Sequence, residues 1–279
     1  MKIRVAAVAW KLRSARSDGQ YFGHLYDLVS EAHEFGADIV VLPELTSLEM
    51  LPLAPDLEEK DAPAFLVQFA QGIEEWLLRI SASSGMTLVG GSHFRETSDG
   101  IVTACVTATP DGKLSATLKN RLTGYERDFW GLKPGQDLAK LPDPRFGALL
   151  CFDSGFPEAG TALALSGAEA ILVPAFTSTT QGFNRVRDAC HAMATENRVF
   201  VAHASLVGSI GYSPAQASFG SSAILTPGLP PFAPIPVISE TTTNEEGIAI
   251  ADLDFDMLAE TRHGAQLGVL DKDTDWKIS

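Results

Sequence analysis

G-A-L-L-C-F-D-S-G-F-P-E, residues 147–158, reads as a strand, a sharp turn and the start of a helix in close succession. The apolar run stops at Cys151, and Pro157 stands where the first turn of a helix tolerates it, since the missing N–H has no partner there in any case. A strand that hands over at once to a helix is the building unit of an α/β fold. Cys151 itself is open to two readings on these residues. It is a nucleophile carried on a strand end, or a small apolar side chain closing a core strand, and for a lone cysteine the second is the commoner.

Working outward, the same alternation recurs on both sides. Strands are expected at Ile3–Ala9, Ile39–Leu42, Thr87–Ser92, Phe146–Cys151, Ala170–Pro174 and Val199–Ala204. Between them lie helical stretches at Tyr21–Phe35, Pro63–Ser83, Pro157 to about Ser166, and Phe183–Glu196. Leu25, Leu28, Val29 and Ala32 form the apolar stripe of the first helix. Val102–Thr109 and Leu114–Leu118 read as a hairpin around Pro110-Asp111-Gly112. The end of the chain is β-rich, at Ser221–Leu225, Pro236–Ser239 and Gly247–Leu253, with a proline-rich surface loop at 227–236. No repeat and no linker interrupts the pattern. It predicts one α/β domain, helices outside and sheet inside, over residues 1–265, with 266–279 as a C-terminal tail.

The totals narrow the function. A net charge of −14 disfavours nucleic acid, whose backbone is gripped by Lys and Arg. No apolar run approaches the roughly 20 residues of a membrane helix, and Met1–Trp10 reads as a core strand rather than a signal peptide. Three cysteines, Cys105, Cys151 and Cys190, form no C-x-x-C pair, which fits a reducing cytoplasm rather than a disulfide framework or a zinc site. The six histidines show no metal-ligand spacing, no G-x-S-x-G elbow is present, and no metal or cofactor is expected. Two acidic runs, Asp252–Asp256 and Asp271–Asp275, lack the Gly and Glu of a calcium loop and read as solvated turns. Arg185 and Arg187 are open to two readings, a clamp for a substrate carboxylate or a solvated helix face. The Gly/Ser-rich stretch 208–220 reads as a flexible loop at a pocket mouth.

Three strands end on a reactive side chain: V-V-L-P-E at Glu44, L-S-A-T-L-K at Lys119 and A-L-L-C at Cys151. Sites in α/β sheets gather at strand ends, where a rigid scaffold anchors the loops. Together the three residues make coherent chemistry. A carboxylate takes the thiol proton, the thiolate attacks, and an ammonium with a free backbone N–H holds the oxyanion.

V-V-L-P-E (40–44), L-K-N-R-L-T-G-Y-E (118–126) and L-L-C-F-D-S-G-F-P-E (149–158) resemble, in order and spacing, the three signature blocks of the nitrilase, or carbon–nitrogen hydrolase, superfamily. A-E-A-I-L-V-P (168–174), A-T-E-N-R-V-F-V-A (194–202), F-G-S-S-A-I-L-T-P-G (219–228) and G-I-A-I-A-D-L-D (247–254) match supporting blocks, so the resemblance runs from Ile3 to about Arg262. It implies a four-layer α-β-β-α sandwich in a single domain. It makes Glu44 the general base, Lys119 the oxyanion-stabilising cation and Cys151 the nucleophile of a thioester acyl-enzyme. It adds Glu126, which orients the lysine and substrate, and the backbone N–H of Phe152 as an oxyanion donor. It implies a homodimer or larger homo-oligomer.

The implied substrate is a small-molecule amide or carbamoyl compound. Nitrilases usually follow the cysteine with Trp-Glu, whereas Phe152-Asp153 here favours amides. A nitrilase, an amide-forming acyltransferase and a catalytically silent binding member are the alternatives. Amidases often carry Arg or another large residue where this chain has Gly155, which assigns Gly155 to the substrate pocket; Phe176 and Thr177 join it as the end of the expected pocket strand. E-R-D-F-W-G-L-K-P-G (126–135) resembles a bacterial branch that is sometimes fused to an acetyltransferase domain.

Overall fold

A computed structural model describes residues 1–264; the expected tail 266–279 and the acidic run Asp271–Asp275 lie outside the described residues. In chain order the elements are β1 (Lys2–Leu12), α1 (Asp18–Glu34), β2 (Ile39–Val41), α2 (Ala62–Val67), α3 (Ala70–Ser84), β3 (Thr87–Val89), β4 (His93–Thr97), β5 (Gly100–Ala108) and β6 (Leu114–Leu118). They continue with β7 (Phe146–Ala148), α4 (Pro157–Leu165), β8 (Ala170–Phe176), α5 (Thr180–Asn197), β9 (Phe200–Gly208), β10 (Ala223–Leu225), β11 (Val237–Glu240), β12 (Gly247–Asp254) and α6 (Phe255–Gly264).

Alternation along single strands builds the layers. In β1, Ala6, Val8 and Trp10 pack under α1 and α3, while Val5 and Ala7 face the opposite way. There they meet Leu172, Phe200 and Ala202 from β8 and β9. The other face of β8, Ile171 and Val173, packs with Val186 and Cys190 of α5 and Leu163 of α4. Because successive side chains of a strand point to opposite faces, the three apolar clusters are the three seams of a four-layer α-β-β-α sandwich.

In the first sheet β12, β1, β2 and β3 lie side by side; β1, β2 and β3 are parallel and β12 is antiparallel. One edge of β5 pairs with β3 and then β4, and its other edge with β6, all antiparallel. The second sheet runs β7-β8-β9 in parallel and continues into antiparallel β10 and β11. The tail of β1, Trp10–Leu12, leaves the first sheet and runs parallel beside Leu206–Gly208 of β9. One strand therefore belongs to both sheets.

Several boundaries differ from the sequence reading, each for a local reason. The stretch expected as one helix over 63–83 is two, α2 and α3, parted at Gln68 and Phe69. Both residues keep right-handed helical backbone angles, so the apolar periodicity runs on across the break. The strand expected to reach Ser92 stops at Val89, because Gly91 turns the chain with φ +66°. β4, which follows, has no counterpart among the expected strands. β7 ends at Ala148, three residues before Cys151. α5 starts earlier than Phe183, where Thr179 caps it by accepting the Gly182 N–H at 3.0 Å. The hairpin holds, with Ala108 facing Leu114 across the turn. The acidic run Asp252–Asp256 is used structurally: Asp252 pairs with Arg4 at 2.7 Å, and Asp254 accepts the N–H groups of Asp256 and Met257 at the start of α6.

Candidate active site

Glu44 stands just past the C-terminal end of β2. The backbone there is held by Leu42 N–H to Val89 O at 2.9 Å and Leu45 N–H to Ser92 O at 2.9 Å, so β3 and the turn after it fix the position of the carboxylate. Leu45 has φ +57°, a left-handed conformation that a non-glycine residue rarely adopts. The chain then winds into a 3-10 turn, Thr46–Leu53, pinned from behind by Glu49. Glu49 accepts the Trp10 indole N–H at 2.7 Å and contacts the His24 ring at 3.0 Å, both from buried positions.

Lys119 follows β6 directly, with its N–H donating to Thr103 O at 2.9 Å. Its ammonium lies between two carboxylates, donating to Glu44 Oε1 at 2.8 Å and to Glu126 Oε1 at 2.6 Å. The other oxygen of Glu126 accepts from the Thr123 N–H at 2.8 Å and from its hydroxyl at 2.9 Å. Thr123 Oγ1 in turn accepts the Glu126 N–H at 3.2 Å. This reciprocal pair opens the π-helical turn Tyr125–Phe129 and orients Glu126.

Cys151 comes from the second sheet. It opens the 3-10 turn Cys151–Gly155 with φ +42°, another left-handed non-glycine residue. Strain of this kind persists only where the surroundings fix it, and it collects at functional sites. The thiol donates to Phe176 O at 3.3 Å, and the Phe176 N–H donates to Glu44 Oε2 at 3.2 Å, so one residue of β8 touches both groups. Cys151 is 5% exposed and also packs into the cluster under α4 and α5.

Electrostatics separates the three groups. Burial pushes the Glu44 carboxyl up, against the pull of the Lys119 ammonium, and the Glu126 charge pushes the same way as burial. Burial alone would favour neutral Lys119, but the charges of Glu44 and Glu126 outweigh it and hold the ammonium. Burial pushes the Cys151 thiol well up, and the Glu44 charge adds to this. The resting site is thus a neutral thiol beside a carboxyl group whose proton affinity is likewise raised by burial.

A cavity of about 360 Å³ opens over Cys151, with Glu44, Lys119 and Glu126 in its wall. Phe176 and Ser178 complete one side, and Glu59, Tyr125 and Trp130 another. Ser213 and Pro214 come from the expected mouth loop 208–220. A cavity of the same volume lies at the opposite, N-terminal ends of the strands, lined by Lys2, Asp38 and Asp143 among others, and holds none of these groups. Among the described residues no three His, Cys, Asp or Glu side chains converge as metal ligands do, and no helix is long and apolar enough to cross a membrane.

The other residues expected at or near the site fall differently. Gly155 is exposed and absent from the cavity wall. A Cβ built on it would meet nothing within 4 Å, so the backbone there faces open space outside the cavity wall. Thr177 is likewise outside the wall, its hydroxyl donating to Phe219 O at 2.7 Å. Phe152 stands in the cysteine turn, its ring under the Arg185 guanidinium at 4.5 Å. Arg187 is buried and donates to Glu240 Oε1 at 2.8 Å and to Ser221 O at 2.7 Å, so neither arginine lines the cavity. Sequence reasoning reads Asp153 only as a sign, with Phe152, of amide rather than nitrile cleavage, and misses its positioning role. Its buried carboxylate accepts the N–H groups of Arg121 at 2.7 Å and Asn120 at 3.3 Å, tying the cysteine turn to the loop after Lys119. Its place two residues after the cysteine is the only signal. Glu59 and Trp130 fall in the loops around 46–60 and 120–135 that the sequence places at the pocket wall, but neither residue is singled out there, since loop contacts alone bring them to the cavity.

The family model described as carbon-nitrogen hydrolase matches residues 4–263. The chain is 24% identical over 264 residues to a probable hydrolase of Bacillus subtilis, covering 93% of this chain and 51% of that protein, so it spans about half the length of that relative. It is 26% identical over 276 residues to an omega-amidase of Danio rerio, covering 94% of this chain and 91% of that one. Among solved structures, Nit3 of Saccharomyces cerevisiae, described as a member of branch 10 of the nitrilase superfamily, superposes with a TM-score of 0.78 at 22% identity, covering 95% of each chain. The chain belongs to the carbon–nitrogen hydrolase family.

Proposed function

We propose that the protein is a thiol amidase that hydrolyses a small-molecule carboxamide through a Cys151 thioester. The observation that carries this reading is the Lys119 ammonium bonded to both Glu44 and Glu126 in the wall of the cavity that Cys151 enters.

Glu44 removes the thiol proton as sulfur attacks the carbonyl carbon. Burial makes the Glu44 carboxylate a stronger base than an ordinary glutamate, and the Lys119 ammonium favours the thiolate that forms. The negative charge that develops on the carbonyl oxygen is met by Lys119 and the backbone N–H of Phe152. Lys119 is already held in place by two carboxylates and needs no reorganisation at that moment. The proton held by Glu44 passes to the nitrogen, the carbon–nitrogen bond breaks and ammonia or an amine leaves. Water, deprotonated by Glu44, then attacks the thioester carbon. The carbon–sulfur bond breaks, the proton returns to sulfur and the carboxylic acid departs. Glu126 orients Lys119 and keeps it charged.

Two copies of the chain pair in this reading through α4 and α5, supported by Leu165, which is 52% exposed at the end of α4. Light scattering on the purified protein tests the pairing. The catalytic reading is tested with Cys151→Ala on a panel of small amides. Full loss of hydrolysis is expected, together with an acyl adduct on the wild-type protein by intact mass; an active Cys151→Ala variant refutes the mechanism.

A further inference from the structure

We infer that Glu59 selects the substrate, and that the acyl chain taken by this site ends in an ammonium group; the inference rests on the amidase reading above. Among the described residues lining the cavity, three carry carboxylates, Glu44, Glu59 and Glu126, against one ammonium, Lys119. Lys119 is already committed to Glu44 and Glu126, which leaves Glu59 without a cationic partner in the wall. Lys60, its neighbour in sequence, pairs instead with Glu58.

Glu59 is also placed rather than loose. Tyr125 donates its hydroxyl to Glu59 Oε1, and the Trp130 indole N–H donates to Glu59 O at 3.1 Å. One carboxylate oxygen is thereby occupied and the other is left for a ligand. Glu59 is half-buried and Tyr125 is 39% exposed, whereas Glu44, Lys119 and Cys151 are all 5% exposed or less. The free carboxylate therefore sits at the outer end of the cavity and the reacting groups at its inner end. An amide whose carbonyl meets Cys151 presents the far end of its acyl chain to Glu59.

A carboxylate at that far end would lose water to face a like charge with no free cation in the wall, which is costly. An ammonium would gain a charge-assisted hydrogen bond. The chain's net charge of −14 draws the same sign of ligand from solution. The reaction with an ω-amino amide balances as above: sulfur–carbon forms as carbon–nitrogen breaks, ammonia leaves, and water releases the ω-amino acid.

The test compares kcat/KM for 5-aminopentanamide, hexanamide and the monoamide of glutaric acid, with analogues of each one methylene shorter and one longer to span the cavity. The wild-type protein is expected to favour the cationic amide over the neutral one, and the neutral over the anionic. Glu59→Gln is expected to lower the cationic-to-neutral ratio by about 10- to 100-fold, the range of a hydrogen bond to a charged group. Glu59→Lys is expected to reverse the order in favour of the anionic amide, an outcome that misfolding cannot imitate. A wild-type preference for the anionic amide, or an unchanged ratio in Glu59→Gln, overturns the inference. Calorimetric binding of the same amides to Cys151→Ala reads the charge preference without turnover. A preference seen there while the wild-type protein hydrolyses none of them overturns the amidase reading and keeps the assignment of Glu59 to ammonium binding.

Discussion

Gly91 and Pro43 approach so closely that a Cβ at Gly91 would lie 1.9 Å from the Pro43 carbonyl oxygen. The contact fixes the residue just before Glu44. Gly85 offers the comparison, since it too has a positive φ, +76°, but a Cβ there meets nothing within 4 Å. Gly85→Ala is expected to cost about 1 kcal/mol for the left-handed backbone alone. Gly91→Ala is expected to cost more than about 3 kcal/mol, because backbone must move, and to abolish amide turnover. Thermal melts and kcat/KM on both variants check the contrast.

Activity is expected to fall on the acid side at a pH above 4.5, the ordinary glutamate value, because burial raises the Glu44 carboxyl and only its ionised form accepts the thiol proton. The Glu126 charge raises Glu44 further. Glu126→Gln removes that repulsion, so the acid limb is expected to move to lower pH even as kcat/KM falls by about 10- to 100-fold from the displaced lysine. A pH–kcat/KM profile of both proteins reads the two effects separately. An acid limb that stays put removes Glu44 as the group responsible.

Cys105 and Cys190 are fully buried and their thiols are pushed up to about 12, mainly by burial. Cys151 alone of the three opens on the cavity, where the Glu44 carboxylate, its base in the proposed mechanism, also lies. Iodoacetamide is therefore expected to label Cys151 first, and Glu44→Gln to slow that labelling about 100-fold, the low end of a general-base contribution. Peptide mapping over a time course tests this; equal labelling of all three thiols speaks against an activated Cys151.

Asp153→Ala would leave the N–H groups of Asn120 and Arg121 without their buried acceptor. The expected cost is about 1–3 kcal/mol in stability, with a larger fractional loss in kcat than rise in KM, because the cysteine turn and the Lys119 loop come apart. Asp153→Asn keeps one acceptor oxygen and is expected to fall between. Urea melts and steady-state kinetics distinguish a positioning role from simple destabilisation: the latter lowers stability and leaves kcat per folded molecule unchanged.

Much of this architecture is legible in the sequence because burial on both faces of a strand leaves long apolar runs, as in V-A-A-V-A-W and I-L-V-P-A. The candidate trio is legible because each member carries a reactive side chain at the end of an expected strand, although the strand before Lys119 is not buried on both faces as the run before Glu44 is. Glu126 comes only from the family resemblance, because nothing in a loop spacing of seven residues says that the chain doubles back onto Lys119. Gly155 is misplaced by the same route. Its position relative to Cys151 suggests a pocket residue, but the 3-10 turn swings it to the surface. Ser213 arrives with the Gly/Ser-rich mouth loop that composition marks, whereas Glu59 and Trp130 reach the cavity through packing between residues far apart in sequence, which no local pattern assigns to individual side chains. The two readings of Cys151 turn out not to exclude one another, as its side chain packs in an outer seam and opens on the cavity.

The strand shared by the two sheets has a bearing on how the molecule fails. Glu44 and Lys119 ride on one sheet and Cys151 on the other, and β1 passes from the first to the second. It works as a dowel: sliding one layer over its neighbour means stripping pairs at Trp10–Leu12 before Glu44 and Cys151 can separate. Neither half of the sandwich therefore holds a weaker version of the site. Melting should extinguish chemistry and tertiary structure in one step, and a chain cut between the layers should recover function only when both pieces reassemble around that first strand.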